Sequence, residues 1–218
     1  MIRPLAAAAL ALLPAAALAQ APTKPKLIVA ISVDQFSADL FAEYRGLWRG
    51  GMKRLSEGVV FPSGYQSHAA TETCPGHSTI LTGDHPSRTG IIANSWIDQS
   101  AGRADRTVYC AEDETLAGST FKAYTPSPAH LRVPTLGDRM KAADPASRVV
   151  SVSGKDRAAI MMGGHATDQI WFLDPFRKRS FVTLAGHASA APAAVARANV
   201  ALARAEATPA RPMPLPPG

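Results

Sequence analysis

The chain has 218 residues, a net charge of +6, and 46% hydrophobic, 18% charged and 6% aromatic residues. This length suits one ordinary domain or a piece of a larger one, and the apolar share is large enough for a packed core, which argues against a disordered chain. No repeat at solenoid spacing is present, and the basic residues are scattered rather than clustered. A repeat array and a nucleic-acid-binding module are therefore excluded.

The first 19 residues have the layout of a secretory signal peptide. Arg3 is followed by an apolar run that ends in Ala17-Leu18-Ala19, which predicts cleavage after Ala19 and a periplasmic or secreted mature chain, residues 20–218. A membrane anchor is the alternative, but the run contains Pro14 and is too short to span a bilayer comfortably. No other segment approaches about 18 apolar residues, so we expect no stable membrane anchor.

The first predicted strand is the run from Leu27 to Val33, LIVAISV. A continuous apolar run of this kind is expected for a strand buried on both faces of a parallel sheet. It ends at Asp34, and in open α/β sheets ligands and metals bind beyond the carboxyl ends of the strands. An aspartate at this point can equally be a cap or a loop hydrogen-bonding residue, so position alone does not make Asp34 a ligand.

The rest of the chain alternates between predicted helices and predicted strands. Helices are predicted over residues 38–45, 52–57, 75–81, 135–143 and 190–207, and strands over residues 59–61, 91–97, 107–110, 148–153 and 169–173. The alternation predicts an α/β fold with a largely parallel sheet and helices on both faces. Residues 98–134 are irregular and polar, and we expect them to cross the ligand-binding end of the sheet. Residues 209–218 are too rich in proline for a helix or a central strand.

Two loops carry candidate anion-binding residues. Thr73 lies just before a helix that starts with Pro75, so its hydroxyl faces free N–H groups and the positive end of the helix dipole. A bound phosphate and a plain N-cap role for Thr73 are equally compatible with the sequence. Lys155 and Arg157 follow the strand RVVSV, and two such cations can bind one anion, with a solvated charge pair as the alternative. The segment is not a P-loop, because the early glycine is missing and Asp156 replaces the Ser/Thr.

Cys74 and Cys110 are the two cysteines of the sequence. In an oxidising compartment they can form one disulfide that closes a loop of moderate length, and export favours that bond. The alternative is a pair of unpaired thiols in a small core. The spacing alone leaves both open.

Three segments resemble one known family. Residues 71–96, TETCPGHSTILTGDHPSRTGIIANSW, resemble the nucleophile region of the alkaline phosphatase superfamily, in its nucleotide pyrophosphatase/phosphodiesterase branch. Together with SVDQF (32–36) and SVSGKDRAAIMMGGH (151–165), they resemble most closely the bacterial alkaline phosphatases that use a threonine nucleophile. The resemblance runs from about Lys26 into the Ala-rich helix and implies an alkaline phosphatase-like α/β fold. We interpret His77, inside the first segment, as a structural residue that is hydrogen-bonded beneath the nucleophile loop.

The resemblance implies a role for five residues. Asp34 matches the first metal-binding aspartate, and Thr73 matches the nucleophile, which also contacts a metal and becomes phosphorylated. Asn94 matches the asparagine that binds a phosphoryl oxygen. Lys155 and Arg157 match the basic pair that favours phosphate monoesters and that the phosphodiesterase relatives lack. A complete site of this kind is expected to contain two Zn²⁺ ions, and the implied substrates are phosphorylated small molecules.

Most of the metal ligands that such a site needs are missing from the sequence. After Arg157 there is no Asp-His dipeptide, and Asp168 and Asp174 are the later aspartates. We therefore expect an exported, zinc-dependent alkaline phosphatase, represented here by its N-terminal part and inactive alone. One alternative is a phosphodiesterase or nucleotide pyrophosphatase of the same superfamily. The other is a non-catalytic fragment that binds anions through Thr73, Lys155 and Arg157.

Overall fold

The structure is a computed structural model that describes residues 25–176, 179–185, 187 and 191–208. The predicted signal peptide and the Pro-rich residues 209–218 lie outside the described residues. By its contacts the chain divides into two units, Met1–Val33 and Asp34–Gly218. In the part of the chain that is described, no helix is both long and apolar enough to cross a membrane.

The second unit contains all the helices and strands of the described residues. The helices are α1 (Ala38–Tyr44), a 3-10 turn (Arg45–Leu47), α2 (Gly50–Ser56), α3 (Thr73–Thr82), α4 (Pro86–Thr89), α5 (Leu136–Ala143), α6 (Asp156–Gly163) and α7 (Ala193–Ala207). The strands are β1 (Ser95–Ile97), β2 (Thr107–Tyr109), β3 (Val150–Ser153), β4 (Gln169–Leu173) and β5 (Phe181–Val182). All five predicted helices are confirmed, with ends shifted by a turn or less.

Local signals explain where these helices begin and end. The Ser37 hydroxyl caps α1 by accepting the N–H of Leu40 at 3.2 Å. Helix α5 starts with a capping box, in which the side chains of Thr135 and Asp138 each accept the backbone N–H of the other residue. Helix α3 ends at Gly83, which has φ of 75°, a left-handed conformation that glycine adopts without steric cost.

The strands form two small sheets. Strands β3 and β4 pair in parallel, as the alternation of strands and helices predicts, with Val152 opposite Trp171. Strand β5 adds to β4 in the antiparallel direction. Strands β1 and β2 form a separate antiparallel pair in which Trp96 lies opposite Val108. Strand β1 is shorter than the predicted strand over 91–97. Ile91 is fully buried, as its apolar side chain suggests, but it lies outside the part of the segment that pairs with β2.

Two predicted strands are wrong. Residues 27–33 and 59–61 form no helix or strand, and their large apolar side chains are mostly exposed, with Leu27 78%, Val59 84% and Phe61 82% accessible. A strand needs neighbours that accept and donate its backbone hydrogen bonds, and the described residues provide none for these two runs. The apolar pattern of Leu27–Val33 therefore predicts a burial that does not occur here.

The core is centred on α6 and β4. Ile160 and Met161 of α6 and Ile170 and Phe172 of β4 are almost entirely buried. Helix α6 also packs against α3 and β3. Thr73 and Arg157 therefore belong to two helices that pack on each other.

Candidate active site

Helix α3 presents Thr73 at its first turn. Thr73 is the first residue of the helix and Glu72 is the N-cap residue, with φ of −79° and ψ of 172°. The N-cap alternative for Thr73 is therefore wrong, since the cap position lies one residue earlier. The Thr73 side chain is partly exposed beside the N-terminal N–H groups of the helix, where the dipole favours negative charge.

Asn94 is bound to the start of the same helix. Its side-chain Oδ1 accepts the backbone N–H of Cys74 at 2.9 Å, and its own backbone N–H donates to Oε2 of Glu72 at 2.7 Å. Its carbonyl oxygen accepts the N–H of Cys110 at 3.0 Å. Because Oδ1 accepts the Cys74 N–H, the Asn94 amide Nδ2 is the group that can donate to a phosphoryl oxygen.

The disulfide between Cys74 and Cys110 crosses this region. The two residues are bonded, with their Cα atoms 6.4 Å apart and 36 positions apart in the chain, and both are fully buried. The bond ties the first turn of α3 to the end of β2. In the oxidised chain, Cys74 and Cys110 therefore provide no free thiol near Thr73.

Lys155 and Arg157 lie at the start of α6. Lys155 is the N-cap residue of this helix, and its ammonium Nζ lies 3.4 Å from Oδ2 of Asp34. Both side chains of this pair are more than half exposed, 53% and 56%, so the attraction between them is weak. Arg157 is half-buried, and its Nη1 donates to the hydroxyl of Tyr109 at 3.3 Å.

Two consecutive residues join the helix starts. Tyr109 contacts Arg157 at the beginning of α6, and the next residue, Cys110, is bonded to Cys74 at the beginning of α3. Adjacent Cα atoms are about 3.8 Å apart. The end of β2 therefore connects the segment of the predicted nucleophile with the segment of the predicted basic pair.

Sequence reasoning missed Asp156, Tyr109 and Tyr124. Asp156 is 4% exposed, and its carboxylate accepts the hydroxyls of Tyr109 at 2.9 Å and Tyr124 at 2.7 Å. Burial and the nearby charge of Asp156 raise the pKa of Tyr109 to about 12. Burial and the hydrogen bond to Asp156 also raise the pKa of Tyr124. The position of Asp156 between Lys155 and Arg157 is visible in the sequence. No local pattern predicts that its hydrogen-bond donors are Tyr109 and Tyr124, which are 47 and 32 residues away in the chain.

A cavity of about 400 Å³ opens beside these residues. Its walls combine two cations, two carboxylates, and aromatic and apolar side chains. The charged residues are Lys155, Arg157, Asp156 and Asp174, and the large apolar or aromatic ones are Tyr109, Phe121, Tyr124 and Leu173. The Tyr109 and Tyr124 rings pack on each other with centroids 4.4 Å apart. The cavity therefore brings cations, carboxylates and aromatic rings together.

His77 has the structural position that its place in the motif predicts. Its Nδ1 lies 2.7 Å from the carbonyl oxygen of Thr73. A carbonyl can only accept, so Nδ1 must carry the proton in this contact. The Nδ1 of the imidazole therefore supports the backbone of Thr73.

The described residues do not form a complete metal centre. Nowhere in the described part of the chain do three or more His, Cys, Asp or Glu side chains cluster closely enough to bind one ion. Asp34, the predicted ligand, has Lys155 as its neighbour. A two-metal site of the implied kind needs several more Asp and His ligands than Asp34 and Thr73 supply.

Comparison with known proteins identifies the family. A family model described as type I phosphodiesterase / nucleotide pyrophosphatase matches residues 28–180. The chain belongs to this family. The match includes Asp34, Thr73, Asn94, Lys155 and Arg157, so every predicted site residue lies within the family region.

Curated alkaline phosphatases are similar to a large part of the chain. PhoK of Sphingomonas sp. is 73% identical over 154 residues, which are 70% of this chain and 28% of PhoK. PhoD of Zymomonas mobilis subsp. mobilis is 62% identical over 179 residues, which are 82% of this chain and 30% of PhoD. The chain therefore spans less than a third of the length of these relatives.

Solved structures confirm the alkaline phosphatase-like α/β fold. Wild-type alkaline phosphatase PafA superposes with a TM-score of 0.67 at 30% identity, over 80% of this chain and 34% of PafA. A PafA variant with one threonine, one asparagine, one lysine and one arginine substituted gives a TM-score of 0.65 at 28% identity. The described helices and small sheets thus correspond to part of the PafA fold.

Proposed function

We propose that this chain carries the nucleophile and the phosphate-binding residues of an exported hydrolase of phosphate monoesters. The observation that supports this function is the connection between the helix starts, in which Tyr109 contacts Arg157 and Cys110 is bonded to Cys74. Two helix N-termini, a partly exposed hydroxyl and two cations on one side of one unit suit a multiply charged phosphate.

In the proposed reaction, the Thr73 hydroxyl oxygen forms a bond to phosphorus as the bond from phosphorus to the ester oxygen breaks. The hydroxyl proton is lost and the leaving alcohol takes up a proton. Water then hydrolyses phosphothreonine 73, which releases inorganic phosphate and restores the hydroxyl. The donors on Asn94, Lys155 and Arg157 stabilise the charge on the phosphoryl oxygens during both displacements.

The preference for monoesters rests on the basic pair. A phosphate monoester dianion has one more charged oxygen than a diester, and Lys155 and Arg157 provide the cations and donors that such an oxygen needs. The family also includes phosphodiesterases and pyrophosphatases, so a diester substrate is the second candidate.

The substituted PafA variant supports the assignment of these four side chains. Its substituted threonine and asparagine are 21 positions apart, and its substituted lysine and arginine are two positions apart. The same spacings separate Thr73 from Asn94 and Lys155 from Arg157 in this chain. We infer that these residues are the corresponding group.

The zinc requirement and the signal peptide belong to the same proposal. When bound, zinc lowers the pKa of a coordinated hydroxyl and activates it as a nucleophile. Of the ligands that such a centre needs, this chain offers Asp34 and Thr73, so we expect the 218-residue chain alone to bind phosphate without turning over an ester. The predicted signal peptide would deliver the protein to the periplasm or the medium.

Phosphate binding by the 218-residue chain tests this proposal. In a calorimetric titration with inorganic phosphate, we expect Arg157→Ala to weaken binding about tenfold or more, because a charge-assisted contact is lost. Arg54→Ala, which removes an exposed arginine of α2, is the matched control for net charge. Equal weakening by both variants, or no binding by the unmodified chain, would contradict the proposed site.

Substrate preference is tested with added zinc. Turnover of p-nitrophenyl phosphate by this chain, abolished by Thr73→Ala, would show that the expectation of inactivity is wrong. Faster hydrolysis of bis(p-nitrophenyl) phosphate than of p-nitrophenyl phosphate would favour the diester alternative.

A further inference from the structure

The residue between the two cations has no role in the proposed reaction. Asp156 is the first residue of α6 and is almost fully buried. Its negative charge has the same sign as a phosphate, so a carboxylate that faced the ligand would weaken an anion site. Asp156 lines the same cavity as Lys155 and Arg157, so its charge must be compensated within the protein if those two cations are to bind an anion.

Both oxygens of the Asp156 carboxylate are occupied by tyrosine hydroxyls. Tyr109 donates to Oδ1 at 2.9 Å and Tyr124 donates to Oδ2 at 2.7 Å. A hydroxyl has one proton to give, so each tyrosine proton is committed to Asp156. The N-terminal position in α6 also stabilises the charge through the helix dipole. The carboxylate is therefore satisfied within the protein.

The Tyr109 hydroxyl makes a second hydrogen bond, to Arg157. Nη1 of Arg157 lies 3.3 Å from the Tyr109 hydroxyl oxygen, and the guanidinium carbon lies 5.9 Å from the ring centroid. Because the Tyr109 proton is directed to Asp156, the lone pair of the oxygen is available to the guanidinium. Tyr124 makes the same kind of bond to Asp156 but none to Arg157 in the described residues.

We propose that Asp156 and Tyr109 are positioning residues that fix the guanidinium of Arg157 for phosphate binding. A long arginine side chain loses rotamer freedom when it binds a ligand, and a guanidinium that is already fixed loses less. The consequence for phosphate rests on the proposed function, whereas the fixed guanidinium is a property of the free protein. The two parts can be measured separately.

Two isosteric variants separate the roles of the tyrosines. Tyr109→Phe removes the hydroxyl that joins Asp156 to Arg157, and Tyr124→Phe removes a hydrogen bond to Asp156 but leaves the direct contact between Tyr109 and Arg157 in place. The Nε of Arg157 is buried and has no hydrogen-bond partner in the described structure, so its N–H is a suitable NMR probe. The signal is assigned by its disappearance in Arg157→Lys.

In the free 218-residue chain, we expect Tyr109→Phe to lower the ¹⁵N order parameter of this N–H and to accelerate its exchange with solvent several-fold. Tyr124→Phe, which leaves the contact between Tyr109 and Arg157 intact, should change both values clearly less than Tyr109→Phe does. Equal responses to the two variants, or no response to Tyr109→Phe, would overturn the positioning role. If Tyr109→Phe does not fold, Asp156→Asn replaces it, and an unchanged Arg157 signal in that variant would overturn the role equally.

The second measurement is a titration with inorganic phosphate. We expect Tyr109→Phe to weaken phosphate binding roughly 3- to 10-fold, and Tyr124→Phe to weaken it clearly less than Tyr109→Phe does. Normal phosphate affinity in Tyr109→Phe would contradict the functional part of the inference. If the unmodified chain binds no phosphate while the NMR signals respond as expected, the proposed function fails and the positioning of Arg157 stands.

Discussion

The side-chain oxygen of Asn94 accepts the backbone N–H of Cys74 at 2.9 Å, although the two residues are 20 positions apart. The first N–H groups of a helix have no partner within the helix, so this contact satisfies one of them. It also fixes Asn94 beside Thr73. One side chain thus contributes both to the stability of α3 and, in the proposed function, to phosphate binding.

Two substitutions at Asn94 separate these contributions. Asn94→Ala should lower the free energy of unfolding by about 1 kcal/mol, because the Cys74 N–H loses its acceptor. Asn94→Asp keeps the acceptor and should retain most of the stability, but its negative charge should abolish phosphate binding. Urea unfolding and a phosphate titration measure the two effects. Unimpaired phosphate binding by Asn94→Asp would refute the proposed role of this side chain.

The disulfide should contribute strongly to stability. It joins residues 36 positions apart, and the loop-entropy relation gives about 3–4 kcal/mol for a loop of this size. Reduction should therefore lower the midpoint of urea unfolding substantially. The Cys74→Ala/Cys110→Ala double variant is the control, since its midpoint should not respond to the reductant. An equal response in both proteins would mean that the reductant acts elsewhere.

Stability should fall in acid through Asp168. The ammonium of Lys141 at 2.6 Å, the backbone N–H of Val149 and the guanidinium of Arg148 lower the pKa of Asp168 to about 2. Because its unfolded pKa is about 3.9, the ionised carboxylate stabilises the fold above pH 4, and this contribution is lost as the pH falls from about 4 to 2.

The size of this acid effect is about 1–2 kcal/mol after allowance for solvent screening. Thermal unfolding between pH 2 and pH 6 measures it. In Asp168→Asn the difference from the unmodified chain should be largest near pH 6 and should vanish near pH 2. Asp39→Asn, which changes an exposed carboxylate of α1, should not reproduce that pattern. A constant difference across the range would exclude the ionisation of Asp168 as its cause.

The ion pair between Arg103 and Glu112 should be far more important than a surface pair. Glu112 is fully buried, and both of its carboxylate oxygens accept from the guanidinium, at 2.6 and 2.9 Å. Arg103→Met leaves that carboxylate buried without its cation and should cost on the order of 3–5 kcal/mol. Lys53→Met breaks the exposed pair with Glu57 at 3.9 Å and should cost less than about 1 kcal/mol. Similar losses in urea unfolding would contradict this ranking.

Local sequence signals were sufficient for five of the seven α-helices in the described residues, and they missed α4 and α6. The proline at position 75 predicts a helix start that the structure confirms within a turn, and the observed caps Ser37 and Gly83 fit the predicted ends of their helices. Such signals work because capping and turn formation involve residues a few positions apart. The strand over 169–173 was also predicted at its observed length. Its short apolar run is typical of a buried strand, and its central residues are buried in the structure.

Strand pairing was beyond these local signals. The runs over 27–33 and 59–61 have strand-like composition but find no hydrogen-bonding partners in the described residues. A strand is stabilised by a neighbour that is distant in sequence, so an apolar pattern alone cannot decide whether that neighbour is present.

The sequence by itself determined the family segments, the approximate ends of five helices and the candidate residues Asp34, Thr73, Asn94, Lys155 and Arg157, but not helix α6. Only the tertiary structure decided which groups surround them. Tyr109, next in the chain to a disulfide-bonded cysteine, lies between Asp156 and Arg157. Such contacts depend on packing between elements 47 residues apart in the chain, and hydrogen-bond direction and burial are properties of that packing rather than of any local pattern.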